Sequence, residues 1–121
     1  MTNQKRRDAQ MAYLSDQAVL EEQRVCRHIL QQLNFMDRSD FDGIRSVVKK
    51  LLGRSDGAFL NPPFYCEYGK TIEAGKHLFV NYNCTILDVA KVKIGDNCLL
   101  APNVSISTAG HPVHPDTRAS M

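Results

Sequence analysis

The chain has no tryptophan and no apolar run approaching the ~18 residues that would cross a bilayer. A membrane-spanning helix is excluded on that ground. Neither sign of charge dominates: 15 Lys and Arg against 13 Asp and Glu leave a net charge of +2. That balance argues against nucleic acid or a membrane surface as partner. The opening, Met1 to Arg7, is basic, but no apolar stretch follows it, so it is not read as a secretory leader and a cytoplasmic location is expected. Cys26, Cys66, Cys84 and Cys98 contain no Cys-x-x-Cys pair. A zinc ribbon and a thioredoxin-type dithiol are therefore excluded, and the four are read as small apolar core residues rather than disulfides. With 121 residues, 43% hydrophobic and 23% charged, the composition is that of one folded domain with a modest core.

The first third carries helical periodicity. Ser15 or Asp16 can cap a helix running to about Leu33, with Val19, Cys26, Ile29, Leu30 and Leu33 on one stripe. Glu21 and Glu22 suit the positive N-terminal end. After a polar turn, Ser39 or Asp40 starts a second helix with Phe41, Ile44, Val48, Leu51 and Leu52 on one face. Lys49 and Lys50 in its last turn, followed by Gly53, form a C-terminal signature. Residues 1–53 thus read as a helical hairpin too small to be stable alone. Residues 54–73 read as a connector, because Asn61-Pro62-Pro63 removes two backbone donors and restricts the residues before them.

From Ala74 the period changes to six. Ala74, Val80, Ile86, Ile94, Leu100 and Ile106 open successive hexapeptides once Val92-Lys93 is set aside as an insertion. The fifth positions are Leu78, Cys84, Ala90, Cys98, Val104 and Gly110, all apolar or glycine, and Gly75 and Gly95 recur one triplet apart. A period of six suits a solenoid of short flat faces, three to a coil of about 18 residues, with the first position inside and polar turns outside. A meander of alternating strands would demand neither the glycines nor the small fifth position. The expected fold is mainly β: a short left-handed parallel β-helix over residues 74–121, ending in a histidine loop, preceded by the helical hairpin.

These repeats, with Ile94-Gly-Asp-Asn-Cys98 and Leu100-Ala-Pro-Asn-Val104, resemble the hexapeptide-repeat acyltransferases. The hairpin, the segment Asn61 to Gly69, the run Phe79 to Val89 and Thr108-Ala-Gly-His-Pro-Val-His114 narrow the likeness to the maltose/galactoside O-acetyltransferases. The resemblance runs from about Tyr13 to the end of the chain. It implies acetyl transfer from acetyl-CoA to a sugar hydroxyl, with His111 in the position of the general base. Imidazole suits that role, because a sugar hydroxyl is a poor nucleophile near neutrality. The resemblance also implies that Asp16, Glu67 and Asn81 bind the acceptor, and that the chains form a homotrimer with sites between neighbouring β-helices.

Phe79 and Val89 stand where the galactoside-type pattern has tyrosine and aspartate. They agree with the maltose-type pattern and favour glucose or maltose as acceptor. His111 and His114 are spaced His-x-x-His, but no acid or cysteine cluster supports them and no metal is expected. Family chains continue into further coils, which carry most of the coenzyme A contacts, so residues that bind the donor are expected beyond residue 121. Two other readings fit a chain that stops short of those coils. One is a catalytically impaired β-helix fragment serving as an interaction module. The other is an acyltransferase with a different acceptor.

Overall fold

A computed structural model describes residues 1–111 and 113–120. Pro112, the proline expected to flank His111, lies outside the described residues. Three helices precede the strands. Helix α1 (Asn3–Asp8) is a short addition to the expected hairpin, capped by the Thr2 hydroxyl, which accepts from the Lys5 amide. Helix α2 spans Gln17–Asn34 and helix α3 spans Phe41–Leu51. Both are capped by aspartate: Asp16 accepts from the Val19 amide at 3.0 Å and Asp40 from the Gly43 amide at 3.0 Å. The inward stripes are Val19, Cys26, Leu30 and Leu33 on α2, and Ile44, Val47, Val48 and Leu51 on α3. Phe41 departs from the expected core face. It is 57% exposed and meets the Phe59 ring edge-on, with centroids 6.0 Å apart.

Among the described residues nine strands follow: β1 (Arg54–Asp56), β2 (Phe59–Leu60), β3 (Phe64–Cys66), β4 (Ile72–Lys76), β5 (Phe79–Val80), β6 (Cys84–Leu87), β7 (Val92–Ile94), β8 (Leu99–Leu100) and β9 (Ser105–Ser107). They form three parallel sheets, β1-β4-β7, β2-β5-β8 and β3-β6-β9, called sheets one, two and three here. Consecutive strands lie in different sheets and the chain returns to each sheet one coil later, which makes a triangular prism. The fold is a left-handed parallel β-helix. A last short helix, α4 (Pro115–Ala119), carries His114 at its N-terminus, where Nδ1 accepts from the Asp116 amide at 3.3 Å.

The register matches the hexapeptide phase. Ala74 pairs with Ile94, Val80 with Leu100 and Ile86 with Ile106. Each step covers twenty residues rather than eighteen, because Val92-Lys93, set aside as an insertion, pairs in the first face with Ile72-Glu73 of the coil before. The same step runs backwards, pairing Leu60 with Val80 and Cys66 with Ile86. Residues 54–66 are therefore not merely a connector, as the prolines suggested. They form a complete first coil. Pro62 and Pro63 stand at the corner between β2 and β3, joined by a cis peptide bond. No ladder amide is needed there, and the Pro63 carbonyl accepts from the Asn83 amide of the next coil at 3.0 Å.

The interior is filled by Leu60, Phe64, Ile72, Leu78, Val80, Cys84 and Ile86, each 2% exposed or less. Burying a side chain of this kind is worth about 1.5–3 kcal/mol, so this column, not the short strand ladders, holds the prism together. Cys26, Cys66 and Cys84 are buried free thiols in this core. The hydrogen bond with Cys26, 3.6 Å away sulfur to sulfur, and then burial raise the Cys66 thiol far above its ordinary pKa, so it stays protonated. Corners are turned by residues with positive φ: Gly57, His77 and Asn97 at one, Asn83 and Asn103 at the next. Asparagine tolerates this region better than most residues, and the two corner asparagines bond to each other at 2.6 Å. Of the two recurring glycines, Gly75 is required sterically, since a Cβ there would lie 2.2 Å from the Asp96 carboxylate of the coil above. Asn34 docks the hairpin on the prism, donating to the Phe64 carbonyl and accepting from its amide, both at 2.9 Å.

Candidate active site at the third corner

The chain turns a corner each time it leaves sheet three for sheet one. After β3 the turn is Glu67–Thr71, after β6 it is Asp88–Lys91, and after β9 the chain departs through Thr108 to His111. These segments stack along the prism, about 4.8 Å per coil.

Asp88 organises the stack. It is fully buried. Its carboxylate accepts from the amides of Glu67 at 2.8 Å, Tyr68 at 3.2 Å and Gly69 at 2.8 Å, and from the Thr71 hydroxyl. One side chain of the second coil thus holds the whole turn of the first. The next turn is tied in a similar way. The Thr108 amide donates to the Leu87 carbonyl at 3.0 Å, and its hydroxyl accepts from the Ala90 amide at 2.8 Å. His111 therefore leaves the coil above the Ala90-Lys91 corner. It is exposed, and its imidazole makes no hydrogen bond among the described residues.

Against this corner lie α1 and α2, and between them is a cavity of about 630 Å³. Its polar wall includes Arg7, Glu22, Tyr68, Lys70, Thr71 and Lys91. Arg7 is only 6% exposed. It bonds Glu22 at 2.5 Å and Asp8 at 3.0 Å, and its guanidinium lies 4.5 Å from the centre of the Tyr68 ring. Burial works against its charge, but the bonds to Glu22, Tyr68 and Asp8 outweigh that penalty and raise its pKa, so it remains a cation. Tyr13 is half-buried nearby, and burial with the neighbouring Tyr68 raises its phenol.

The four residues singled out by sequence are spread around this geometry. Glu67 is half-buried on the turn that Asp88 holds, next to Tyr68. Asp16 sits at the N-terminus of α2, where the Asn3 amide at 3.0 Å and the Val19 amide hold its carboxyl below the usual carboxylate range. Asn81 stands at a different corner, between sheets two and three, with Oδ1 accepting from the Tyr82 amide at 2.8 Å. Within one chain sheet three separates Asn81 from the His111 loop. Asp88, Arg7 and Tyr68 were missed by sequence. Only the place of Asp88 inside an otherwise regular hexapeptide could have pointed to it.

Asp16 serves as cap in this geometry, and a variant can separate that from a second use of its charge. Asp16→Asn keeps a good cap, so the melting temperature is expected to move by less than about 2 °C, whereas Asp16→Ala loses the cap and is expected to melt lower than both. Because the folded pKa is depressed, the cap's ionic contribution is present at neutral pH and is lost as pH falls through that lowered value. Thermal melts of the three proteins between pH 3 and 7 check this. A wild-type advantage over Asp16→Asn that grows as pH falls would contradict it.

No family model matches the chain. It is similar to the galactoside O-acetyltransferase of Escherichia coli (strain K12), 37% identical over 91 residues, which is 74% of this chain and 45% of that protein. Among solved structures it is similar to a maltose O-acetyltransferase from Clostridium difficile 630, with TM-score 0.96 and 31% identity over 99% of this chain and 65% of that one. A galactoside acetyltransferase in complex with coenzyme A superposes with TM-score 0.93 and 31% identity over 99% of this chain and 61% of that one. In sequence and in coil the chain is similar to hexapeptide-repeat acetyltransferases. It spans about half the length of the curated relatives it matches. Among the described residues no helix is long and apolar enough to cross a membrane, and no group of three or more metal-ligating side chains occurs.

Proposed function

We propose that this chain carries the acceptor half of an acetyl-CoA-dependent O-acetyltransferase acting on a sugar hydroxyl of glucose or maltose type. The observation that supports this reading is the exposed His111 imidazole, on a loop that Thr108 ties to Ala90, one of the residues lining the cavity. An exposed imidazole without hydrogen bonds among the described residues is free to face both an acceptor hydroxyl and a thioester. That openness fits acetyl-CoA, which supplies an activated acetyl group as its thioester. No donor contact is assigned to the described residues.

In this reading His111 takes the proton of the acceptor hydroxyl as its oxygen bonds to the acetyl carbonyl carbon. The carbon–sulfur bond then breaks, and coenzyme A leaves as a thiol once protonated. Asp16 and Glu67 accept hydrogen bonds from the sugar's other hydroxyls. Asn81 supplies a further polar contact from a neighbouring copy, because its corner is not the corner of His111. A heterologous, closed ring of three chains meets that requirement, and a homotrimer is the assembly proposed. Phe79 and Val89 offer no hydrogen bond to a galactoside, which supports the glucose- or maltose-type acceptor. The test is release of coenzyme A thiol from acetyl-CoA with glucose, maltose and a galactoside as acceptors. Turnover with glucose or maltose above the rate with galactoside is expected. Turnover with none of them, or only with amines, would overturn the assignment.

A further inference from the structure

Of the four cysteines, two meet. Cys26 lies on the inward stripe of α2 and Cys66 ends β3, with their sulfurs 3.6 Å apart. They face each other across a seam, because α2 belongs to the hairpin and β3 to the first coil of the prism. Noncovalent contacts otherwise hold that seam, among them Asn34 on Phe64 and Gln23 Nε2 donating to the Tyr68 hydroxyl at 3.3 Å. Cys84 is engaged differently, donating to the Ala101 carbonyl at 3.1 Å. A disulfide needs ~2 Å between sulfurs, so the Cys26–Cys66 pair closes with about 1.5 Å of movement. Cys26 is 1% exposed, yet it lines the cavity between the helices and the third corner, where an oxidant hardly larger than water can reach it. The Cys66 thiol stays protonated, so the attack on that oxidant falls to Cys26.

We propose that Cys26 and Cys66 are an oxidation-sensitive pair, which hydrogen peroxide converts to a reversible disulfide that fastens the hairpin to the first coil. This holds whether or not the chain transfers acetyl groups. The Cys26 sulfur bonds to one peroxide oxygen, the O–O bond breaks, and the other oxygen leaves as water with the Cys26 proton. The Cys66 sulfur then attacks the sulfenic sulfur. The S–S bond forms, the S–O bond breaks, and the hydroxyl leaves as a second water with the Cys66 proton. The two thiols give up two electrons and the peroxide takes them. A dithiol reverses the bond by exchange. In a reducing compartment the pair rests as two thiols, and the bond is a transient response to peroxide. Because Cys66 leads directly into the Glu67–Thr71 turn, the bond ties α2 to the turn that Asp88 holds.

The test exposes the whole folded chain to a small molar excess of hydrogen peroxide, alkylates the remaining thiols in denaturant, and maps the peptides without reductant. The expected product is a linked species joining the Cys26 and Cys66 peptides, with Cys84 alkylated. It should disappear after dithiothreitol and be absent from Cys26→Ala and Cys66→Ala. The wild-type map decides the matter even if a variant fails to fold. The bridged chain is expected to melt about 10 °C higher than the reduced one, since the bond closes a loop of about 40 residues. Oxidation that stops at Cys26 as sulfinic acid, a bridge through Cys84 or Cys98, or a lower melting temperature in the bridged chain would overturn the pair. So would four alkylated cysteines after an exposure that oxidises free cysteine completely.

Discussion

Asp88→Ala is expected to lower folding stability by about 4 kcal/mol, since three backbone amides and a hydroxyl lose their buried acceptor at once. Against a total stability of about 5–15 kcal/mol, that brings the chain close to unfolding at ambient temperature. At roughly 4–8 °C per kcal/mol, the melting temperature should fall by about 15–30 °C. Asp88→Asn distinguishes acceptor capacity from volume. It has the same shape, but its NH2 would face an N–H donor, so a loss of about 2 kcal/mol or more is expected. Thermal and urea melts of both variants check this. If the Asn variant melted with the wild type, the carboxylate would be filling space rather than holding the Glu67–Thr71 turn.

His111→Ala should reduce kcat by about 10²–10⁴-fold, the usual contribution of a positioned general base. It should leave the melting temperature unchanged within about 1 °C, because the side chain is exposed and makes no hydrogen bond among the described residues. His114→Ala is the comparison. Its imidazole accepts from the Asp116 amide at the start of α4, so its loss should fray α4 with much less effect on turnover. The assay is acetyl-CoA turnover at saturating glucose or maltose, with melts on the same samples. Full activity in His111→Ala, or equal losses in the two histidine variants, would remove His111 from the role of base.

Much of this was legible in the sequence for identifiable reasons. The aliphatic first positions from Val80 to Ile106 mark the interior of the prism because a six-residue face returns the same side chain inward on every face. Asp16 and Asp40 announce their helices because an aspartate before a helical stripe is a cap. The first coil was not legible for an equally definite reason. Pro62 and Pro63 signal a break when read locally, but a corner needs no ladder amide, and Leu60 and Cys66 continue the interior column on either side of them. Asp88 was hidden because a polar residue among hexapeptides reads as an exposed turn, and only the stacking of one coil on another buries it. The cavity was hidden too. Arg7 and Glu22 are fifteen residues apart in the chain and meet Tyr68 only after α1 folds on α2 and α2 docks on the prism.

In the proposed ring, His111 of one copy would work with Asn81 of another. The direct measurement is complementation between His111→Ala and Asn81→Ala, each assayed alone and then after mixing equal amounts through an unfolding–refolding cycle. In mixed rings about one site in four receives an intact His111 from one chain and an intact Asn81 from its neighbour. The account predicts that acetyl transfer rises on mixing to about a quarter of the wild-type rate. Mixed samples no more active than the average of the two variants would contradict it.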